Sequence, residues 1–264
     1  LNSYAKGLTY NSEYVDLLNN LGIVLNDLSR FDEAVTNYER AIEIKPDYAE
    51  AYNNLGVTFN KLGQVEEAVR SYEKALNIDP DYADAHNNLG VVLGKKGFAN
   101  DAVKSFEKAI DLMIKKLTIN PNDSNTLNNL GIAFFETKYF EESMASYQKA
   151  LVIQPNLAEV WNNLGTVFQK LNQYEDAIKS FEKAYSINPE IDYVLGNILG
   201  AKINCCDWNG LEELLVDAKK RIINNEKVID SHTLTGLIDN PALQRKTAEL
   251  FTQYHYPKNK SLSL

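Results

Sequence analysis

Apolar residues recur through most of the chain at intervals of three and four positions, the spacing that brings side chains onto one face of an α-helix. Ala68, Tyr72 and Ala75 illustrate this spacing within one segment. Short stretches that contain glycine, asparagine or proline interrupt the pattern at regular distances. The pattern therefore predicts an all-α protein whose consecutive amphipathic helices form antiparallel pairs.

The helical pattern is itself repeated. The string Asn-Asn-Leu-Gly occurs five times, and the interval between successive glycines is constant except between Gly90 and Gly131, where it is longer. A small residue, an aromatic residue and an alanine follow each glycine at fixed distances, and a proline closes each unit. The glycines are Gly22, Gly56, Gly90, Gly131 and Gly165, the aromatic residues are Tyr38, Tyr72, Phe106, Tyr147 and Phe181, and the prolines are Pro46, Pro80, Pro121, Pro155 and Pro189.

Each marker has a physical role in a helix pair. The glycine and the small residues are expected where two helices cross closely, and the aromatic ring is expected to fill the space beside them. Proline cannot continue a helix, so it marks the exit from the second helix. Gly63 and Gly97 stand where the turn between the two helices requires a positive φ. Seven extra residues, 111–117, add about two turns to the second helix of the third unit.

This set of markers resembles the tetratricopeptide (TPR) repeat. The resemblance implies an all-α fold in which antiparallel helix pairs form an α-solenoid, a right-handed TPR superhelix with a C-terminal helical cap. The predicted segments are 1–14, the second helix of a partial TPR; the TPRs 15–48, 49–82, 83–123, 124–157 and 158–191; 192–256, a helical cap or linker toward a missing catalytic domain; and 257–264, a tail.

The two ends of the chain match the repeat only in part. Tyr4 corresponds to Tyr38, so the chain is expected to begin inside a second helix. After the last proline, Asn197-Ile198-Leu199-Gly200 aligns with Asn-Asn-Leu-Gly, and later alanines are missing in that alignment. We expect this segment to begin the cap, because a solenoid needs an atypical end unit to cover its apolar face.

Two helices are predicted after that segment. Residues 210–225 form an amphipathic pattern. Residues 241–256 form another, which Asn240 caps and Pro241 opens.

Composition and charge exclude several classes of function. The 264 residues carry a formal net charge of −9, with a pI of about 5.0, so nucleic acid and anionic membranes are not expected as partners. No apolar stretch approaches the roughly 20 residues of a membrane span, and no signal peptide is predicted. A start at Leu1 rather than at methionine predicts a fragment. The two cysteines are adjacent, which favours a reduced, cytoplasmic protein.

Residues suited to catalysis or metal binding are sparse. The sequence has no phosphate-binding glycine loop, nucleophile elbow or metal-ligand spacing. His86 takes the place that Tyr52 and Trp161 hold in other units, which predicts a packing role. We therefore expect no catalytic residue, no metal and no cofactor in this chain.

The polar residues that recur instead form two rows. The first is the asparagine row, which precedes each Leu-Gly and consists of Asn20, Asn54, Asn88, Asn129 and Asn163. The second, the acidic row, lies four positions earlier and consists of Asp16, Glu50, Asp84, Asn125 and Glu159. First helices of TPR units line the concave surface, so both rows are expected there. An asparagine amide both donates and accepts, so the first row suits the backbone of an extended peptide.

A purely structural role for these asparagines remains an alternative. A second set, which we name the adjacent asparagines, is equally regular and consists of Asn19, Asn53, Asn87, Asn128 and Asn162. Regularity alone therefore does not separate peptide binding from capping of local backbone. The acidic row can likewise be a bias of the surface.

The segment after the repeats resembles a more specific family. Leu195 to Lys202 followed by Cys206-Asp207-Trp208, and then Asp239 to Gln244, are similar to the region that joins TPRs to the catalytic domain in O-linked N-acetylglucosamine transferases and in SPINDLY-type and bacterial glycosyltransferases. The resemblance implies that the asparagine row holds protein substrates and that Asp207 and Trp208 are structural, with the indole anchoring the cap. The animal enzymes have a histidine cluster in this region, of which only His232 has a loose counterpart.

Two functions follow from these observations. The first is a substrate-recruiting TPR region of a glycosyltransferase, which binds extended protein segments and is not itself an enzyme. The second is a self-standing TPR scaffold or adaptor. In both cases the partner is a protein or peptide, and the sequence also allows a homo-oligomer.

Overall fold

The fold is described from a computed structural model, which covers residues 2–224, 226–229, 233–234 and 237–255. Thirteen helices have defined bounds within these residues. They are α1 (Asn2–Asp27), α2 (Phe31–Ile44), α3 (Ala49–Lys61), α4 (Val65–Ile78), α5 (Ala83–Lys95), α6 (Ala99–Ile119), α7 (Ser124–Glu136), α8 (Phe140–Ile153), α9 (Ala158–Lys170), α10 (Tyr174–Ile187), α11 (Val194–Asn204), α12 (Leu211–Ile223) and α13 (Pro241–His255).

The chain forms two compact units, residues 1–115 and 116–264. In the first unit, α1 packs on α2 and α3 on α4, and α2 and α4 each contact the first helix of the next pair. In the second unit, α7 packs on α8, α9 on α10 and α11 on α12, with α13 against α12. First helices of successive pairs also contact each other within each unit. The prediction of an all-α protein made of stacked helix pairs is therefore confirmed.

Each of the first five helix pairs is held together by a glycine on the first helix and an aromatic ring on the second. A Cβ atom added at Gly56 would lie 2.6 Å from the ring of Tyr72, and one added at Gly90 would lie 2.9 Å from the ring of Phe106. The rings are almost fully buried. Glycine is thus required because the ring occupies the volume that a methyl group would need.

The turn between the two helices has a left-handed residue in every pair. Gly63 and Gly97 have positive φ, as predicted. The equivalent positions elsewhere hold residues with side chains, which adopt the same conformation: Ser29, Lys138, Asn172 and Cys206. Around Gly63 the helix ends in a Schellman motif, since Gln64 N–H donates to the Phe59 carbonyl at 2.8 Å.

The last helix pair, α11 and α12, keeps the repeat period. The left-handed turn residue of this pair is Cys206, which lies one full repeat after its counterpart Asn172. Ala218 on α12 follows Ala184 by the same interval and is equally buried. The alignment of Asn197-Ile198-Leu199-Gly200 with Asn-Asn-Leu-Gly is therefore wrong by one residue, because Asn197 occupies the position of Asn163.

The corrected register explains how this pair packs without its glycine. Leu199 takes the position of Gly165, and Leu215 takes that of the ring of Phe181. Both leucines belong to one apolar cluster, in which Leu199 is fully buried. A larger residue on the first helix is thus matched by a smaller residue on the second.

The N-terminal helix differs from the expected arrangement. The predicted boundary between segments 1–14 and 15–48 falls inside α1, which runs unbroken from Asn2 to Asp27. The physical reason is the residue at the predicted boundary. Where the later units have a proline such as Pro46, the N-terminal segment has Ser12, which does not interrupt a helix.

A C-terminal segment covers the exposed side of α11. Residues 226–229 cross the start of α11, where Gly196 N–H donates to the Val228 carbonyl at 2.9 Å. A Cβ atom on Gly196 would lie 2.8 Å from Cα of Ile229, so glycine permits this approach. Asn240 then caps α13, since its Oδ1 accepts from the backbone N–H groups of Ala242 and Leu243 at 3.1 Å. The predicted N-cap is confirmed.

Of the two residues predicted to be structural in the Cys-Asp-Trp motif, Asp207 agrees with the structure and Trp208 does not. Asp207 is structural, because its carboxylate accepts a 2.7 Å hydrogen bond from the buried Lys202 ammonium, which lowers the pKa of Asp207. Trp208 is 61% exposed, so the expectation that its indole anchors the cap is wrong. The cap is held instead by the aliphatic cluster that contains Leu195, Val228 and Ile229.

The packing of α5 on α6 yields a stability prediction with a matched control on the same helix. Gly90→Ala should lower the free energy of unfolding by about 1–3 kcal/mol, because the new methyl group meets the ring of Phe106. Gly94→Ala should leave the free energy unchanged or raise it by up to about 1 kcal/mol, since the nearest atom to its Cβ is 3.9 Å away. Denaturant unfolding of both variants checks this, and equal losses would contradict the proposed crossing.

Candidate functional site: the asparagine row

Helical geometry separates the two asparagines of each first helix. Residues four apart share a face, so Asp16 and Asn20 lie on one side of α1, and both are exposed. Asn19 is rotated by about 100° and is almost fully buried. The two neighbours in the sequence therefore have different environments. One faces outward with the acidic row, and the other faces the next helix pair.

In the first unit, the two sets of asparagines bond to each other. Asn54 Nδ2 donates to Asn19 Oδ1 at 3.0 Å, and Asn88 Nδ2 donates to Asn53 Oδ1 at 3.0 Å. Each bond joins the first helix of one pair to the first helix of the next. The asparagine row thus contributes to stacking, and the bond also fixes the orientation of each amide plane.

The acidic row takes part in the same contacts. Asn19 Nδ2 donates to Glu50 Oε1 at 3.0 Å, and the Tyr48 hydroxyl donates to Asp16 Oδ1 at 3.0 Å. Burial raises the pKa of Tyr48, and the hydrogen bond to the Asp16 carboxylate raises it further, so this phenol remains a neutral donor. The two carboxylates are held in place while still being exposed.

In the second unit, the asparagine bond between successive first helices forms at one of two equivalent places. Asn197 Nδ2 donates to Asn162 Oδ1 at 3.1 Å. Asn163 does not make the equivalent bond to Asn128, whose Oδ1 is buried without a partner among the described residues. The amide of Asn163 is therefore not committed to its neighbour as those of Asn54 and Asn88 are.

The fixed amides keep capacity for a ligand. An asparagine side chain has two N–H donors and an oxygen with two lone pairs, and the inter-helix bond uses one donor. In Asn54 and Asn88, both half-buried, one N–H group and the oxygen remain. Neighbouring amides of known orientation can therefore donate to a carbonyl group and accept from an N–H group of an extended chain.

The predicted site residues are accessible to different degrees. Asn20, Asp16, Glu50, Asn125 and Glu159 are exposed, whereas Asn54, Asn88, Asn129, Asn163 and Asp84 are half-buried. Sequence reasoning missed Asn197 as a sixth member of the row, together with the inter-helix role of the adjacent asparagines. The signal for Asn197 was the period itself, since it follows Asn163 by the same interval that separates Asn54 from Asn20.

His86 and Trp161 take part in structural contacts. His86 Nε2 donates to the Pro80 carbonyl at 2.9 Å, and Trp161 Nε1 bonds Pro155 in the same way, so both rings hold the loop that precedes their helix. Groups of three or more potential metal ligands do not occur within the described ranges. His232 lies outside the residues that the structure describes.

Comparison with known sequences identifies the family. Models of the tetratricopeptide repeat match residues 24–63, 58–97, 81–155 and 158–191, which together span more than half of the chain. The chain is a TPR protein. No curated protein matches the sequence.

Solved structures with the same fold include TPR proteins of several kinds. Pseudomonas aeruginosa pilF is 19% identical with a TM-score of 0.57, and the match covers 89% of this chain and 97% of that one. The type IV pilus biogenesis factor PilW is 19% identical with a TM-score of 0.59, covering 80% and 93%. A chain of the APC/C hetero-tetramer Cut9-Hcn1 is 17% identical with a TM-score of 0.63, covering 90% and 43%. At these identities the likeness establishes the fold alone.

None of these relatives indicates a glycosyltransferase. The matched sequence models are general TPR models, and the O-linked N-acetylglucosamine transferase relationship expected from the C-terminal segment gains no support from them. Helices long and apolar enough to cross a bilayer are not found in the described part of this TPR protein.

The inter-helix bonds of the TPR stack lead to a second stability prediction. Asn54→Ala and Asn88→Ala should each lower the free energy of unfolding by about 1–3 kcal/mol, because Asn19 Oδ1 and Asn53 Oδ1 would stay buried without a donor. Thermal or denaturant unfolding measures the loss.

The asparagine row supplies its own controls for this measurement. Asn20 is exposed and Asn163 does not make the inter-helix bond, so Asn20→Ala and Asn163→Ala should each change the unfolding free energy by no more than about 0.5 kcal/mol. A uniform loss across all four variants would mean that the inter-helix bond is not what distinguishes them.

Proposed function

We propose that this TPR protein binds an extended segment of another polypeptide along the first helices of its TPRs, where the asparagine row holds the main chain of that segment. The observation that supports this most directly is the pre-orientation of Asn54 and Asn88 by their bonds to the preceding helix. A ligand would gain hydrogen bonds without having to order these two side chains first, which reduces the entropic cost of binding.

The spacing of the helices supports an extended ligand. Packed helices lie about 8–10 Å apart, and an extended chain advances about 3.3 Å per residue. About three residues of the ligand therefore pass each TPR, so every third residue meets an asparagine of the row. A helical ligand, which advances about 1.5 Å per residue, does not match this period.

The acidic row favours ligands with basic or hydroxyl-bearing side chains. Asp16, Glu50 and Glu159 are exposed beside the asparagine row, and the whole chain has a net charge of −9. Complementary charge accelerates encounter and selects between partners more than it adds affinity. Recognition then divides into main-chain contacts from the amides and side-chain preference from the carboxylates.

Binding can be tested without disturbing the stack. Peptides selected from a displayed random library on the 264-residue chain should lose affinity about 5- to 30-fold for the double variant Asn20→Ala/Asn163→Ala, because each unit loses one amide worth about 1 kcal/mol. Calorimetry or fluorescence anisotropy gives the affinities. Both substitutions avoid the inter-helix bonds, so the change reports on the ligand and not on folding.

A double variant on second helices serves as the matched control. Glu39→Gln/Glu141→Gln alters two exposed residues of α2 and α8 and should leave the affinity within about twofold of the parent. An unchanged affinity for the asparagine variant, or an equal loss in the control, would overturn the proposed binding face.

A more specific candidate is the substrate-recruiting region of an O-linked N-acetylglucosamine transferase-like enzyme. It rests on the similarity of Leu195 to Lys202, Cys206-Asp207-Trp208 and Asp239 to Gln244 to the segment before the catalytic domain in that family. The comparisons support the TPR scaffold at least equally. The genomic reading frame after Leu264 discriminates between the two: a large α/β domain supports the enzyme, and an immediate stop codon contradicts it.

A further inference from the structure

In the first five helix pairs, a β-branched residue follows the residue of the asparagine row by three positions, and we name this set the β-branched row. Its members are Ile23, Val57 and Val91 in the first unit and Ile132 and Thr166 in the second. Ile23 is exposed, and the other four are half-buried. Residues three or four positions apart lie on the same face of a helix, so this row shares a face with the acidic row and the asparagine row.

The three rows lie at different heights along each first helix, in the order shown by Glu50, Asn54 and Val57 of α3. At a rise of about 1.5 Å per residue, the acidic row is about 6 Å from the asparagine row on one side, and the β-branched row is about 4.5 Å from it on the other. A polypeptide whose main chain contacts the asparagine row therefore has mainly carboxylates along one edge and mainly aliphatic groups along the other.

The side chains of the β-branched row have little freedom to lose when a ligand binds. A valine or isoleucine in a helix keeps one preferred χ1 rotamer. Val57 is held further by its contact with the buried cluster that contains Tyr72 and Leu89. The row therefore resembles the amides of Asn54 and Asn88, whose inter-helix bonds also fix them before a ligand arrives.

The distance between first helices selects the conformation of the ligand. The bond from Asn54 to Asn19 joins two short side chains, so these helices are in direct contact, with axes about 8–10 Å apart. A β-strand repeats every two residues, so with three residues per TPR it would turn opposite faces to successive TPRs. A polyproline II helix has three residues per turn and advances about 9 Å in that turn, so it turns the same face to every TPR. Its backbone makes no internal hydrogen bonds, which leaves its N–H and C=O groups available to the amides.

We propose that the ligand of the asparagine row is a polyproline II segment whose sequence repeats every three residues, with a basic side chain toward the acidic row and a short apolar side chain toward the β-branched row. This inference rests on the proposed function, because the asparagine row holds the main chain of the segment. The third side chain of each turn faces solvent, where proline is accepted and its fixed φ favours the polyproline II conformation.

The first unit carries the complete set of the three rows. Each of α1, α3 and α5 has a carboxylate, an asparagine and a valine or isoleucine at the three positions. In the second unit, Asn125 replaces the carboxylate on α7, and Thr166 replaces the aliphatic residue on α9. Three helices at about three ligand residues each correspond to a segment of about nine residues, which we expect the first unit to select.

Two peptides of identical composition test the three-residue period. The first is Pro-Lys-Val repeated three times, and the second is Val-Lys-Val-Lys-Val-Lys-Pro-Pro-Pro, which alternates as a β-strand does. Fluorescence anisotropy with the 264-residue chain should show at least about tenfold tighter binding of the first, because it turns the same faces to each TPR. Both peptides carry the same charge, so non-specific attraction to a chain of net charge −9 is the same for both. Equal affinities, a preference for the alternating peptide, or no binding of the Pro-Lys-Val repeat would overturn the proposal.

A double-mutant cycle tests the contact with the β-branched row. Ile23→Thr/Val91→Thr exchanges aliphatic groups for hydroxyl groups, and Thr166 indicates that this position of the repeat accepts threonine. The variant should bind the Pro-Lys-Val repeat about 3- to 10-fold more weakly and the Pro-Lys-Ala repeat within about twofold of the parent, because alanine has no side-chain atoms beyond Cβ to pack on the row. Circular dichroism should give the same helix content for both proteins. An equal loss for both peptides, or no loss for either, would overturn the contact.

The asparagine variant separates failure of this inference from failure of the proposed function. If Asn20→Ala/Asn163→Ala weakens the library-selected peptides while the two nine-residue peptides bind equally, the asparagine row still holds a main chain, and only the three-residue period is wrong. If Asn20→Ala leaves the affinity for the Pro-Lys-Val repeat unchanged while Ile23→Thr/Val91→Thr lowers it, the main-chain role of the asparagine row is wrong, and this inference falls with it.

Discussion

The close approach of the two helices in each pair determines the rest of this structure. The ring on the second helix lies where a Cβ atom of the first would be, 2.6 Å away at Gly56 and 2.9 Å at Gly90. A ring this close to a backbone allows little freedom in how the helices cross, because displacement in either direction creates a clash or a void. Within each compact unit, repetition of the same crossing brings each first helix to a similar position, so polar residues placed once per repeat form a row there.

The paired asparagines convert that regular position into a link between helix pairs. A buried amide group is stabilising only if its hydrogen-bonding groups are satisfied, and in the first unit Asn19 is satisfied by Asn54 and Glu50. The bond can form only when successive first helices are in the correct register, so it penalises slippage of the stack. The same bond sets the orientation of the outward-facing amides. Stability and the proposed recognition of a main chain therefore depend on the same side chains.

The sequence was sufficient to predict the helix pairs but not the direction of every side chain. The glycine, aromatic and proline markers each report a local steric requirement, and they located the pairs and the longer α6, which has 21 residues against 14 in α4. Which of two adjacent asparagines faces the next helix depends on the crossing angle, which no local pattern contains. The repeat period places Asn197 in the asparagine row, but the short match to Asn-Asn-Leu-Gly indicates an alignment that is shifted by one residue. Leu199 and Leu215 stand where other pairs have the glycine and the ring, so the usual markers of the alignment are missing here.

The helix α11 illustrates how the stack covers a first helix with a segment that is not a TPR. At α11, the position of Asn162 is taken by Gly196, and the backbone of residues 228 and 229 lies where the next first helix would otherwise bond. The Gly196 N–H group donates to the Val228 carbonyl, so a main-chain bond stands where Asn162 accepts a side-chain bond from the next first helix.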